Sequence, residues 1–214
     1  MNKYKAILFD FDGTLADTAP GIVLTMQKTF EQMGLPLPEE EAVRQTIGLP
    51  LVEAVRILGK LTPDEADKGV EVYRNLFPVY EVGKVSIFPG VPETLEQLKG
   101  QGVRMAVCTS RNLSSLVTIL KRFGLEHNFE TMVTNNDGLP PKPAPDMVMA
   151  LLDRMGVAAH EAVVVGDTTF DILMGNAAGC DTIAVTYGNH TVTRLKTANP
   201  TFVVDHFEDI NQFL

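Results

Sequence analysis

The chain has 214 residues, 45% of them hydrophobic, and a formal net charge of -9 from 18 Lys and Arg against 27 Asp and Glu. That length suits one large domain or a domain carrying a smaller insertion, and the acidic balance offers no basic field to draw nucleic acid. Cys108 and Cys180 each sit in or beside an apolar run, which suits reduced buried thiols and a cytoplasmic setting, and with no signal-type h-region and no apolar stretch near ~18 residues in the sequence, neither export nor a membrane span is expected.

Taken in chain order, short β-branched runs predict buried strands at "KAILFD" (5–10), "VRMAVC" (103–108), "ETMVT" (130–134), "EAVVVG" (161–166), "DTIAVT" (181–186) and "TFVV" (201–204). Their nearly continuous apolar character points to a parallel sheet covered on both faces. Helical patterns lie between them, "VPETLEQLKGQG", "NLSSLVTILKRFG" and "APDMVMALLDRMG", each ending at a glycine suited to a helix C-terminus. Strand-helix alternation of this kind predicts an α/β fold with a doubly wound parallel sheet.

One interval breaks the rhythm. From about Ala16 to about Ile87 the sequence shows no convincing strand, and "GIVLTMQKTFEQMG", "PEEEAVRQTIG", "LVEAVRILG" and "PDEADKGVEVYRNLF" read as consecutive helices. The expected organisation is therefore a core of residues 1–15 and 88–214 with an all-helical cap at 16–87, and "FPVYEVGKVSIFPG" (77–90) as the return linker. A cap in that place would cover the C-terminal strand ends, where ligands bind in open α/β folds.

The polar residues gather at those strand ends. Asp10 and Asp12 follow the first strand, Thr109, Ser110 and Arg111 follow "VRMAVC", Lys142 lies in "PPKPAPD", and "VVVGDTTFD" puts Asp167 past a strand with Asp171 a helical turn later. Bare carboxylates at the edge of a core need a cation or a proton. Together the groups offer a nucleophile, an acid/base, carboxylates for a hard cation, and hydroxyl and ammonium donors for an anion. The bland readings are a solvated turn for Asp10 and Asp12, a surface lysine for Lys142, a helix cap for Thr109, and a helix N-terminal charge pair for Asp167 and Asp171. His127, His160, His190 and His206 show no ligand spacing and read as surface or loop residues. Arg44 and "TIGLPL" (46–51) are either substrate contacts or ordinary helix-turn residues.

With its four motifs in order, the sequence resembles the haloacid dehalogenase-like hydrolases, in particular their phosphoglycolate-phosphatase-like branch. "DFDGTLADT" is similar to the first motif, Thr109 in "VCTSR" to the second, Lys142 to the third and "GDTTFD" to the fourth. The resemblance implies an Mg²⁺-dependent phosphatase in which Asp10 attacks phosphorus and carries the phosphoryl group. It implies that Asp10, the backbone carbonyl of Asp12, and Asp167 ligate Mg²⁺, an ion that prefers oxygen donors. The Asp12 side chain would then act as acid and base, Gly13 would let the backbone approach phosphate, and Thr109, Ser110, Arg111 and Lys142 would bind it. Asp171 would orient Lys142 or a metal-bound water. Pro141, Pro143 and Pro145 stiffen the Lys142 loop, and the Lys142-Pro143 bond is a candidate for the cis form.

The substrate class so implied is a small phosphorylated metabolite, handled by a monomer or a homodimer. The alternative within enzymes is a sugar phosphomutase, which returns the phosphoryl group to a second hydroxyl; the alternative from another class is a non-enzymatic phosphoacceptor or ligand-binding relative. Asp12 stands against the latter, because a stable phosphoryl carrier gains nothing from a group that activates water. Dehalogenase relatives generally lack the second aspartate, so its presence stands against that chemistry as well.

Overall fold

The protein, described by a computed structural model over residues 3–213, contains eight strands: β1 (Ala6–Phe9), β2 (Ala16–Asp17), β3 (Ser86–Ile87), β4 (Arg104–Cys108), β5 (Thr131–Val133), β6 (Ala162–Gly166), β7 (Asp181–Val185) and β8 (Phe202–Val204). Six of them form one sheet in the order β5-β4-β1-β6-β7-β8, every neighbouring pair parallel. All of the strands expected in this sheet are present.

Side-chain alternation along each strand divides the core in two. Ile7 and Phe9 of β1, Met105 and Val107 of β4, and Val163 and Val165 of β6 share one apolar cluster; Ala6 and Leu8, Ala106 and Cys108, and Ala162 and Val164 belong to the other. Helices cover both faces, which is why these strands read as unbroken apolar runs. Each such Val, Leu or Ile contributes about 1.5–3 kcal/mol of transfer free energy. Cys108 and Cys180 are buried free thiols.

Nine α-helices are present among the described residues. Four precede β3: α1 (Ala19–Gln32), α2 (Glu40–Arg44), α3 (Leu51–Gly59) and α4 (Pro63–Tyr80). Five follow it: α5 (Val91–Gly100), α6 (Leu113–Arg122), α7 (Asp146–Met155), α8 (Thr169–Ala177) and α9 (Val192–Lys196). Leu95 and Leu98 of α5 and Leu116, Ile119 and Leu120 of α6 pack on one sheet face, whereas Met147, Val148 and Leu151 of α7 and Met174 of α8 pack on the other. No helix among the described residues is long and apolar enough to cross a membrane.

The first four helices have an apolar cluster of their own, in which Met26 and Phe30 meet Val43, Val55, Tyr73 and Phe77. Two details of this interval differ from the sequence reading. Its ends are not helical: Ala16–Asp17 and Ser86–Ile87 pair antiparallel as β2 and β3, and Phe88 N–H donates to the Leu15 carbonyl at 3.2 Å. Two-residue strands leave no periodic signal in a sequence. In addition, α4 continues through Pro78 to Tyr80, so the expected linker begins later. Pro78 forfeits only one backbone bond near the helix end, and Tyr73 and Phe77, buried in the same cluster, hold the last turns in place.

Candidate active site

Strand order reverses about β1, with β4 on one side and β6 on the other, and the crevice beyond the C-terminal ends of such strands is where α/β sheets bind ligands. Asp10 and Asp12 leave β1 there, Thr109 leaves β4, and Asp167 leaves β6. All four are buried.

Lys142 sits at the centre of the charge arrangement. Its Nζ donates to Asp10 Oδ1 and to Asp171 Oδ1, both at 2.6 Å, and its side chain is fully shielded from solvent. The Lys142-Pro143 peptide is cis. Burial opposes the charge on Lys142, but the Asp10 and Asp171 carboxylates outweigh it and hold the ammonium above its ordinary pKa. Burial likewise raises Asp10 well above the usual carboxylate range, against the pull of Lys142, with Asp171, Asp167 and Asp12 adding to the rise.

Asp167 is held by a ring of donors: Thr14 Oγ1 at 3.1 Å to Oδ1, and the Asn189 backbone N–H at 2.7 Å and Nδ2 at 2.9 Å to Oδ2. Burial first, then Asp171, nonetheless pushes it up to about 7. Asp171 Oδ2 accepts from the Thr168 N–H at 3.0 Å and Oγ1 at 2.6 Å, closing a capping box at the start of α8. The helix-terminal reading of Asp171 and its contact with Lys142 are both present, one on each oxygen. Asp10, Asp167 and Asp171 each offer an oxygen within 4.8 Å of the others. Asp12 O lies 3.4 Å from Asn189 Nδ2, which also binds Asp167.

Gly13 turns the chain at φ +92°, and a Cβ there would come within 2.1 Å of Asp167 Oδ2. Only glycine lets the β1 loop approach β6 this closely.

Arg111, expected to contact phosphate, lies instead on Asp12. Its Nε is 3.1 Å from both carboxylate oxygens and its Nη2 2.5 Å from Oδ1, while Thr18 Oγ1 donates to the same oxygen at 2.6 Å. The guanidinium also packs against the rings of Phe11 and Phe77. Ser110 Oγ donates to the Gly48 carbonyl at 2.7 Å, tying the β4 loop to the "TIGLPL" loop. Thr109 Oγ1 accepts from the Arg111 N–H at 3.1 Å; it does not cap α6, a role taken by Asn112.

A cavity of about 400 Å³ opens from Asp10 and Asp12 toward the helical layer, and Thr46, Ile47, Gly48 and Leu49 line it. Arg44 is placed elsewhere. It pairs with Glu40 at 2.9 Å and borders a smaller cavity of about 70 Å³ beside Gly13, Asp17 and Tyr187.

Sequence reasoning missed two neighbours. Asn189 is buried and joins Asp167 to the Asp12 carbonyl; nothing in "YGNH" marks it. His190 is a loop residue but not a surface one, being 1% exposed. Its Nδ1 accepts from the Thr169 N–H at 3.0 Å, its Nε2 has no partner, and burial lowers its pKa to about 4.

The model of the haloacid dehalogenase-like hydrolases matches residues 7–185. Among curated proteins, "Probable phosphatase IndB" of Dickeya dadantii is 38% identical over 95% of this chain and 90% of its own length. A phosphoglycolate phosphatase of Yersinia pestis is 33% identical over 98% and 94%. A solved structure from Bacteroides fragilis, described as haloacid dehalogenase-like, superposes with a TM-score of 0.93 at 27% identity, covering 97% of this chain and 100% of that one. With four motif positions gathered at one sheet edge and relatives matched almost end to end, this chain belongs to the haloacid dehalogenase-like hydrolases, as a phosphatase of their phosphoglycolate-phosphatase-like branch.

Proposed function

We propose that the protein hydrolyses a small phosphorylated metabolite in an Mg²⁺-dependent reaction that passes through an aspartyl-phosphate on Asp10. The observation that carries this reading is Asp10 itself: one oxygen is bound by Lys142 and the other, Oδ2, is buried with no hydrogen-bond partner. An ionised oxygen left so is costly unless a cation or an electrophile meets it.

The donor set fits the metal. Asp10, Asp12, Asp167 and Asp171 stand against two cations, Lys142 and Arg111, so a divalent ion would balance the charge, and all the available donors are oxygen, as Mg²⁺ prefers. Asp10, Asp167 and the Asp12 carbonyl would hold it. When bound, it supplies charge neutralisation between the nucleophile and the phosphoryl oxygens.

The chain's own residues perform the rest. An Asp10 oxygen forms a bond to phosphorus as the ester P–O bond breaks, and Asp12 gives its proton to the departing alkoxide. Asp12 then takes a proton from water, whose oxygen attacks phosphorus and breaks the bond to Asp10, returning a carboxylate and releasing phosphate. Arg111 now grips Asp12; an arriving phosphoryl group competes for the guanidinium and frees Asp12 for proton transfer. Lys142 and Thr109 offset the equatorial charge.

The test is to quench a reaction of the Mg²⁺-loaded enzyme with a phosphate ester and map the phosphorylated residue by mass spectrometry. A short-lived adduct on Asp10, lost together with turnover in Asp10→Asn, is expected. The free alcohol as product distinguishes hydrolysis from transfer to a second hydroxyl, and an adduct lasting minutes would instead mark a phosphoacceptor.

A further inference from the structure

The cavity beyond the carboxylates is larger and more apolar than glycolate requires. Its volume of about 400 Å³ falls in the range of roughly 300–1,000 Å³ typical of small-molecule and cofactor sites. Its walls include Met26, Ile47, Leu49, Tyr73 and Phe77. The Tyr73 and Phe77 rings, on successive turns of α4, are stacked with centroids 5.6 Å apart, and the edge each leaves uncovered lies on the cavity.

The charges at this cavity are spoken for, with one exception. Asp10 pairs with Lys142, Asp12 with Arg111, and Glu81 with Arg122. Arg74, next to Tyr73 in α4, also lines the cavity and reaches solvent. Arg44, Arg56, Arg104, Arg111, Arg122 and Arg154 each have an acidic partner, and Arg194 lies over Phe170. Among the described residues Arg74 alone of the arginines has neither an acidic partner nor a ring.

We propose that the alcohol released here carries a ring and, at its far end, an anionic group: the ring lies against Tyr73 and Phe77, and the anion pairs with Arg74. An arginine binds a carboxylate or a second phosphate through two parallel hydrogen bonds, and aromatic walls favour a flat apolar body over a short polar acid. The inference rests on the phosphatase reading above and makes Arg74 a specificity-determining residue for it.

The test measures kcat/KM of the Mg²⁺-loaded enzyme for 2-phosphoglycolate, benzyl phosphate and 4-carboxybenzyl phosphate, the benzyl esters being primary alkyl esters like phosphoglycolate. The wild type is expected to prefer 4-carboxybenzyl phosphate to phosphoglycolate by more than about tenfold, and Arg74→Gln to cut the preference for 4-carboxybenzyl over benzyl phosphate by about tenfold, the loss of a charge-assisted contact. Because Arg74 is exposed, the variant keeps the fold. Faster hydrolysis of phosphoglycolate than of either benzyl ester, or an unchanged benzyl ratio in the variant, would overturn this inference and leave the phosphatase reading standing. Hydrolysis of none of the three, nor of any other phosphate ester tried, would overturn both.

Discussion

At the scale of single residues, this site depends on buried charges that need one another. Lys142 faces Asp10 and Asp171 with no solvent access, so Lys142→Met leaves two carboxylates without their cation. Removing one partner of a buried pair typically destabilises by about 3–5 kcal/mol, and a loss of that size is expected in urea melts of the metal-free protein, together with loss of turnover. His190 makes a different kind of demand. Its folded pKa of about 4 lies below the ordinary histidine value of 6.5, so the unfolded chain binds the proton more readily. Its contribution to stability is therefore complete above pH 6.5 and is lost as pH falls toward 4; at pH 5 the loss is about 2 kcal/mol relative to neutral pH. Because Asp10 and Asp167 are shifted the opposite way, the measurement is the difference between wild type and His190→Asn, which keeps an acceptor for the Thr169 N–H. The variant should lose less stability between pH 7 and 5, and parallel pH profiles would refute the argument.

At the scale of elements, the helices α1–α4 and the sheet meet at few polar points, and one is the bond from Ser110 Oγ to the Gly48 carbonyl. Gly48 lies close to α8, with Thr168 and Phe170 within 3.3 Å of where its Cβ would be. We take residues 16–87 as a cap that closes through this contact, with β2 and β3 as adjacent crossings. Ser110→Ala removes a hydrogen bond worth about 0.5–1.5 kcal/mol net, so KM should rise by up to about tenfold while kcat changes less. The increase should be similar for all esters, because the contact acts on closure and not on the alcohol. Steady-state kinetics over three esters checks this, and an effect confined to one of them would place Ser110 on the substrate instead.

At the scale of the whole molecule, the balance of charge at the sheet edge ties stability to metal binding. Asp167 is forced up to about 7 by burial beside Asp171, so the metal-free fold holds it at a cost that a divalent cation relieves. Asp167→Asn should melt no lower than the metal-free wild type, since Asn can donate to Thr14 Oγ1 while still accepting from Asn189. Mg²⁺ at a hundred times its dissociation constant should stabilise the wild type by about 2.7 kcal/mol and leave Asp167→Asn unmoved in a thermal melt; equal shifts in both would remove Asp167 from the metal site. The sequence by itself determined the parallel sheet, because strands buried on both faces must be apolar at every position, and it determined the helical interval, because four amphipathic stretches follow one another without a strand. It also determined that Asp10, Asp12, Thr109, Lys142 and Asp167 share one edge, since each follows or lies between strands of a parallel sheet. The pairing of β2 with β3, the burial of His190 and the bridge made by Asn189 were decided only by tertiary structure, because their partners lie from 21 to 177 residues away in the chain and carry no local periodicity. The same holds for the contact between Arg111 and Asp12, whose ends lie 99 residues apart in the chain: the position of Arg111 after β4 marks it as a phosphate contact, and only the fold shows that a carboxylate of the β1 loop lies within reach of its guanidinium.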